Sequence, residues 1–283
     1  MKLFKYILLG IILVFANFLS TAGLAADWIK PGEERLKLGG GVFLPSFDTK
    51  LRIDDNTTGT GTEVDLEDDL GFSSSETTFW VGGYWRFAAK HRLAVAYFQF
   101  DRDSSITANT EITIGDEIYP AGARLDSNFK YQVLPISYAY SFLKREKFEL
   151  AGTIGLNWTK VDFDVSGSAS IGDKDPDANV SADASVPLPL IGLLFDYHFT
   201  PKWSAGLHGE VFWLNIDADT IGFSGTLINL RASTEYWFFN NVGLGAAVNW
   251  YSLDVDVDDG DWRGILDYQY WGCLLYTSPS PRD

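Results

Sequence analysis

The sequence is poor in the residues that most often build reactive centres. Its 283 residues include one Cys, one Met and three His. One cysteine supports neither a disulfide framework nor a cysteine-rich metal site. Basic residues are also scarce: 22 Lys and Arg stand against 38 Asp and Glu, for a formal net charge of −16. So acidic a chain repels nucleic acid, and we expect no nucleic-acid partner.

Residues 1–26 have the order of segments that is typical of an export signal. Lys2 and Lys5 precede an apolar run over Tyr6–Leu19, and small residues follow it up to Ala26. The alternative is a single transmembrane anchor, but the run is short for a span of ~20 residues and no basic flank follows it. We therefore predict a signal peptide at 1–26. No later stretch is apolar enough for a transmembrane helix.

The other end of the chain looks foreign. Residues 273–283 resemble, over their whole length, the translation of a transposon-based sequencing adapter. Such a segment does not belong to the natural protein and carries no information about its fold. We therefore expect 27–272 to form the folded domain and 273–283 to be a sequencing-adapter artefact, so that Cys273 carries no chemical message.

Aromatic residues, in contrast, are abundant. They make up 15% of the chain and include 10 Trp. Disordered acidic chains lack aromatics, so this one is expected to fold. An exported, aromatic-rich chain without spanning helices has one common membrane structure, which is a closed β-barrel.

Ten segments after Asp27 alternate between apolar and polar residues with the period of a β-strand. They are Leu36–Phe47, Thr77–Phe87, His91–Phe100, Asn128–Phe142, Phe148–Val165, Leu188–Phe199, Trp203–Ile216, Gly225–Phe238, Val242–Asp254 and Gly264–Trp271. Short connections alternate with long ones, as do the periplasmic turns and outer loops of bacterial barrels. The pattern predicts an all-β fold, a transmembrane antiparallel up-and-down barrel of ten strands with the last one truncated.

The apolar faces of these segments end in aromatics near the short turns, where an interfacial girdle is expected. These aromatics are Trp85, Phe87, Phe142, Phe199, Trp203 and Phe238. A soluble β-sandwich would alternate too, with its apolar face inside. The export signal, the girdle and the loop asymmetry together favour the membrane barrel.

The opposite face would carry charges into the lumen. We expect a network there of Lys37, Arg86, Glu149, Asp196, His208, Glu210, Arg231, Glu235 and Asp267, with His198 beside it. Reflection through a turn near Thr220 sets Glu210 opposite Arg231, as a cross-strand ion pair. The network is either a constriction that selects solutes or a salt-bridge plug, and a lumen this narrow favours the plug.

Acidic residues crowd the first and last long loops. The first loop holds Asp54, Asp55, Glu63, Asp65, Glu67, Asp68 and Asp69, and the last holds Asp259 together with the set Asp254, Asp256, Asp258 and Asp261. The last set is a candidate Ca²⁺ or Mg²⁺ site, which would make divalent cations partners and bridge them to lipid phosphates. It departs from a calcium loop in the position of Gly260 and in lacking the terminal Glu, so solvated loop charge is the alternative.

The sequence contains few residue patterns that are typical of a catalytic site. His91 and His198 lie near turns, and His208 is followed two places on by Glu210 rather than by a Ser nucleophile. Outer-membrane proteases need an Asp–His couple on the outer rim, and the long loops contain no His. We expect no enzyme activity and no cofactor.

Three short motifs carry a family resemblance: Leu66–Gly71, Tyr84–Phe87 and His91–Leu93. With them the chain resembles the small outer-membrane β-barrel proteins of Gram-negative bacteria, the porin-like and OmpA-like barrel group, and looks like a proteobacterial branch of it. The resemblance implies an outer-membrane location, with outer-membrane lipid, lipopolysaccharide and the barrel insertion machinery as partners. Such barrels end on an aromatic residue that this machinery recognises, whereas the predicted last strand breaks off at Trp271 and Gly272.

Two functions stay open at this point. A narrow passive channel for small solutes would need a continuous wet path past Arg86, Glu210 and Arg231. The alternative is a non-conducting structural or surface-interaction barrel with cation-binding acidic outer loops.

Overall fold

The computed structural model describes residues 33–55, 63–114, 117–168, 178–217, 222–239, 242–258 and 262–279. The predicted signal peptide at 1–26 and the last residues of the predicted adapter segment lie outside this part of the chain. Among the described residues, no helix is long and apolar enough to cross a membrane.

The described chain consists of antiparallel β-strands. They are β1 (Leu36–Asp55), β2 (Glu63–Asp65), β3 (Thr78–Ala88), β4 (His91–Thr107), β5 (Ile112–Ile114), β6 (Glu117–Tyr119), β7 (Arg124–Lys144), β8 (Phe148–Ser168), β9 (Ala178–Thr200), β10 (Trp203–Asp217), β11 (Gly222–Phe239), β12 (Val242–Asp258) and β13 (Trp262–Pro279). The ten long strands each pair with the next long strand, and β13 pairs back with β1. The result is a closed barrel, which confirms the predicted fold class and excludes a sandwich of two sheets.

Each predicted segment falls on one long strand, and all of these strands except β3 continue further at the outer end. β1, for instance, continues to Asp55 and β9 already begins at Ala178. Part of the acidic first loop is thus strand: Lys50 and Arg52 face outwards there, while Thr49 is fully buried inside. Polar outward residues made these extensions look like loops, although each extension keeps ladder pairing with at least one neighbour, as β1 does with β13 and β9 does with β8.

The outer surface has an apolar belt between two aromatic girdles. The girdle near the short turns contains all six predicted aromatics, together with Tyr140 and Tyr236, and all eight are exposed. A second girdle further out is formed by the exposed Trp158, Trp213, Trp250 and Trp271. Beyond it the outward positions become polar, as with Lys160 and Asp162 after Trp158. The belt therefore has the form of a lipid-facing surface flanked by two interfaces.

The outer half of the lumen is filled by aromatic rings, which we call the aromatic plug. Its members are buried and pack against one another: Phe43, Phe47, Phe100, Phe129, Tyr131, Tyr251, Tyr268 and Tyr270. The hydroxyl oxygens of Tyr131 and Tyr251 lie 2.9 Å apart. Their strands, β7 and β12, stand five places apart in the ring of ten, so this hydrogen bond joins opposite walls of the barrel.

Two inserts cover the outer end of the plug. The first insert, residues 63–76, buries Leu66, Leu70 and Phe72 against the plug. The second insert, residues 108–114 and 117–123, contains paired strands β5 and β6 and buries Ile112 and Tyr119. The mouth of the barrel is therefore capped by apolar side chains from both inserts.

The last strand is longer than predicted. β13 runs beyond Gly272 to Pro279 and keeps its pairing with both neighbours, with Cys273 opposite Leu44 on β1 and Val248 on β12. At 18 residues, β13 is about as long as its neighbour β12, which has 17. The adapter origin of residues 273–283 stays a prediction from the sequence.

Candidate functional site

Most of the predicted lumen charges do meet inside the barrel. Eight of the nine line its periplasmic half, below the aromatic plug: Lys37, Arg86, Glu149, Asp196, His208, Glu210, Arg231 and Glu235. Each lies on the inward face of its strand, because side chains of a strand alternate between the two sides of the barrel wall. The charges form two groups of ion pairs, and between them lies a cavity.

The first group, the Glu149 cluster, consists of Glu149, Arg86, Arg92, Ser141 and Asp196. Arg86 donates two hydrogen bonds to the Glu149 carboxylate, at 3.0 and 2.9 Å, and the Ser141 hydroxyl donates a further one. Arg92 lies 3.5 Å from Glu149 and 3.0 Å from Asp196. Only 1% of Glu149 is exposed. The cluster links β3, β4, β7, β8 and β9 near the short turns, where a buried carboxylate requires such partners.

The second group joins the opposite side of the wall. The Lys37 ammonium pairs with Glu235, whose carboxylate also accepts a hydrogen bond of 2.6 Å from the Ser278 hydroxyl. Lys37 lies 5.7 Å from the centre of the Trp237 ring. These contacts tie β1, β11 and β13 together next to the seam where the barrel closes.

The predicted Glu210–Arg231 pair is wrong. Arg231 lies opposite His208, and Glu210 lies opposite Asn229. The Asn229 amide donates to Glu210 at 3.1 Å, and the His208 Nε2 atom is 3.4 Å from the same carboxylate. The reflection point near Thr220 was set too far along the chain, since Asp217 pairs with Gly222. Arg231 itself makes no ion pair within 4.0 Å with any described residue.

The placement of Asp267 in the lumen is wrong as well. Its neighbours Tyr268 and Tyr270 belong to the aromatic plug, so Asp267 must face outwards. On that outer surface it lies opposite Lys50 of β1 and Asp254 of β12. The prediction assumed that charged positions face inwards along the whole strand, which does not hold above the second girdle.

The proposed acidic metal site does not assemble. Asp254, Asp256 and Asp258 follow one another along β12, where residues two apart are separated by roughly 7 Å, too far to surround one ion. Asp256 instead accepts hydrogen bonds of 2.9 and 2.5 Å from Arg263. No group of three metal-binding side chains occurs in the described part of the chain. Asp261 lies outside it.

Two arginines of the interior were missed from the sequence. Arg92 follows His91 on the same face as Ala94 and Ala96, and this face would have placed it in the lumen. Arg102, at the level of the plug, is almost fully buried, pairs with Glu67 of the first insert and donates to the Ser73 carbonyl at 2.8 Å. No local sequence pattern predicts that contact, because Glu67 is one of seven acidic residues in a long connection.

The cavity lies between the two ion-pair groups and the aromatic plug, with a volume of about 250 Å³. One wall is charged and polar, with His208, Glu210 and Arg231. The facing wall is aromatic and small, with Trp80, Ala94 and Pro135. The aromatic plug lies on the outer side of this cavity, and the geometry allows a small molecule to be held below it.

A closed ten-stranded antiparallel barrel with an apolar outer belt, two aromatic girdles and charges inside is a bacterial outer-membrane β-barrel. The protein thus belongs to this class, and its location is the outer membrane of a Gram-negative bacterium.

Three solved structures of outer-membrane proteins are similar to the chain. The outer membrane protease OmpT from Escherichia coli has a TM-score of 0.49 at 10% identity, covering 89% of this chain and 98% of that one. OprG from Pseudomonas aeruginosa has 0.39 at 10% identity, with coverages of 88% and 96%. The toluene transporter TodX from P. putida has 0.35 at 9% identity, with coverages of 87% and 91%. At so low an identity such likeness does not extend to function. No protein-family model and no curated protein matches the chain.

Proposed function

We propose that the protein is a non-conducting outer-membrane barrel that serves as a structural or surface-interaction element, with its capped end presented outside the cell. The observation that carries this proposal is the hydrogen bond between Tyr131 and Tyr251, which spans the lumen inside a layer of buried rings. A layer of buried rings in mutual contact leaves little room for water and solutes to pass, which supports the proposal.

The free energy needed to open a path through the plug is too large for thermal motion to open it often. Burial of one large apolar side chain contributes ~1.5–3 kcal/mol, and several rings of the plug would have to leave together. The first insert holds the plug down as well, since the Arg102 guanidinium lies 4.6 Å from the centre of the Phe47 ring and is paired with Glu67. A passive channel, the other candidate, would require Tyr131 and Tyr251 to separate.

The outer end supplies the surface for partners. Above the second girdle the wall carries cations and carboxylates side by side, for instance Lys130 paired with Asp101 at 3.4 Å and Lys160 with Asp162 at 2.5 Å. Such groups lie at the level of lipid phosphates, so outer-membrane lipid and lipopolysaccharide are the proposed partners there, with divalent cations as bridges. The barrel insertion machinery is the proposed partner during assembly.

The proposal includes no catalytic role. His91 lies at a short turn and contacts Tyr138 at 2.6 Å, while His198 and His208 line the cavity below the plug. None of these positions is at the outer rim, where a surface hydrolase would need a base beside its substrate.

Single-channel conductance in planar bilayers tests the proposal. The full chain is expected to be electrically silent after insertion. A Tyr131→Ala and Tyr268→Ala double variant removes two rings whose centres are 4.5 Å apart in the plug, and is expected to give ohmic steps. The matched control removes two exposed girdle tyrosines, Tyr140→Ala and Tyr236→Ala, and should stay silent.

Steady ohmic steps from the unaltered chain would contradict the proposal and support the passive channel. Insertion is verified for every protein by the heat-dependent shift in electrophoretic mobility that folded barrels show. Should the double alanine variant fail to insert, Tyr131→Leu and Tyr268→Leu replaces it, and open steps are then expected at smaller size.

A further inference from the structure

We propose that the cavity below the aromatic plug is a binding site for a small organic carboxylate with a flat apolar body, which enters from the periplasmic end. Binding at this site needs no open path across the barrel. The site is therefore compatible with the proposed non-conducting function and adds a second function to it. Three features of the cavity carry the proposal: its space, its flat apolar wall and one uncompensated cation.

The space is sufficient for a molecule rather than for a few trapped waters. A volume of about 250 Å³ corresponds to roughly eight water molecules at ~30 Å³ each. A smaller void of about 70 Å³ continues from it towards the plug, past Trp80 and Arg231. The side chains around the main cavity are partly accessible, with 22% of Lys37 and 29% of Asp196 exposed.

The apolar wall owes its flatness to a pair of glycines. Gly39 of β1 and Gly82 of β3 are direct cross-strand partners. The Trp80 indole lies against both, since a Cβ atom would come within 3.1 Å of its ring at Gly39 and within 2.6 Å at Gly82. Without these glycines the indole would be pushed into the cavity. The ring instead forms a flat platform along the wall, on which a planar molecule can stack.

The polar wall holds one cation without a counter-charge. Lys37 is paired with Glu235, and Arg92 is paired with Asp196. Arg231 also lines the cavity but has no carboxylate within 4.0 Å among the described residues. An uncompensated guanidinium in a narrow lumen is costly, and a bound anion would remove that cost.

The carboxylates of the lining are already engaged, which argues against a cationic ligand. Glu34 accepts a hydrogen bond of 2.7 Å from the Tyr84 hydroxyl, and Glu210 accepts one of 3.1 Å from Asn229. Directly across from Arg231 lies His208, whose Nε2 atom is 3.4 Å from the Glu210 carboxylate. Arg231 can thus donate to a ligand carboxylate, and a single such group is the complement of a single unpaired cation.

Isothermal titration of the full chain in a non-ionic detergent tests the site, with benzoate as the probe and benzamide as its uncharged isostere. Benzoate is expected to bind at least 10-fold more tightly than benzamide. Arg231→Gln should weaken benzoate binding at least 10-fold and leave benzamide unchanged. Arg52→Gln is the matched control, because Arg52 lies on the outer surface and pairs with Asp54. It should bind benzoate as the unaltered chain does.

A second variant locates the binding. Ala94→Phe fills the cavity and leaves Arg231 in place, so benzoate binding should be lost. Equal affinities for benzoate and benzamide, no benzoate binding at millimolar concentration, or full binding by Arg231→Gln would each overturn the proposal. None of these results depends on conductance. The proposed binding site and the proposed non-conducting function can therefore be contradicted independently of each other.

Discussion

The two halves of the lumen are built by the same strands but have opposite chemistry. On β7, the inward residues are Phe129 and Tyr131 in the outer half, and Ser137 and Ser141 in the periplasmic half. The outside changes in the opposite sense, from polar above the second girdle to apolar below it. Above the membrane the barrel is therefore organised as a water-soluble protein, and within the membrane it is inverted. The surrounding solvent, rather than the strand, decides which face is apolar.

This difference also separates what holds each half together. The outer half relies on ring packing, with centres such as those of Phe47 and Phe100 only 4.9 Å apart. The periplasmic half relies on ion pairs that cross the lumen, and it keeps a cavity. Packing is lost when volume is removed, whereas an ion-pair cluster is lost when one charge is removed. The two halves should consequently fail by different substitutions.

The largest expected effect is the loss of a ring from the plug. Phe100 is fully buried and contacts rings from three other strands. Phe100→Ala should lower the free energy of unfolding by about 3–5 kcal/mol, because it leaves a cavity that cannot collapse. The measurement is urea unfolding of the protein in phospholipid vesicles. Phe79→Ala, on the lipid-facing surface, should cost clearly less since lipid chains refill the space. Equal costs for the two would mean that the plug is loosely packed.

A charge removal in the periplasmic half should come next. Glu149→Gln leaves Arg86 and Arg92 without their shared carboxylate, at an expected cost of about 3 kcal/mol in the same unfolding measurement. Glu146→Gln, at the exposed turn nearby, should change stability by less than about 0.5 kcal/mol. A Glu149→Gln protein as stable as its control would show that the cluster does not brace the wall.

The smallest effect distinguishes two aspartates on the outer surface by pH. Burial and the adjacent Asp267 raise the pKa of Asp254, so its contribution to stability falls as pH rises through that raised pKa. The hydrogen bonds from Arg263 lower the pKa of Asp256, so its contribution is lost as pH falls through that lowered pKa. The two windows lie on either side of the ordinary aspartate pKa of about 3.9.

Urea midpoints measured across pH check this contrast. At neutral pH, Asp254→Asn should stabilise the protein by a few tenths of a kcal/mol, and Asp256→Asn should destabilise it by ~0.2–1 kcal/mol, the usual range for an exposed pair. The same sign for both substitutions would rule out the assigned environments.

The ten strands could be predicted because alternation and short turns are local signals. The side chains that line the lumen could be predicted only below the second girdle, where apolar residues face the lipid and polar residues face inwards. Eight of the nine predicted charges lie there, and all eight face the lumen. Asp267 lies above that level, where apolar residues face inwards. No local sequence pattern marks the height at which the two faces exchange their polarity. The Glu210–Arg231 error has another cause, since strand register depends on the geometry of the connecting turn.

The aromatic plug could not be foreseen from single strands. Tyr131 and Tyr251 are 120 positions apart in the chain, and their meeting depends on the closure of the whole ring. Likewise, the pairing of Glu67 with Arg102 depends on the path of the first insert over the mouth. Such contacts are set by the tertiary structure and leave no periodic trace in the sequence.

The pairing of β1 with β13 has a consequence for how the protein folds. Contacts such as that between Phe47 and Tyr270 join the first and the last long strand, so ring closure carries the largest loop entropy of any pairing in the molecule. Until it occurs, both strands present free edges that can recruit other chains. A fold that depends on pairing between such distant parts of the chain has a high contact order, and a high contact order is associated with slow folding. Assembly should accordingly be limited by closure of this one seam, and aggregation should compete with the protein for as long as the seam stays open.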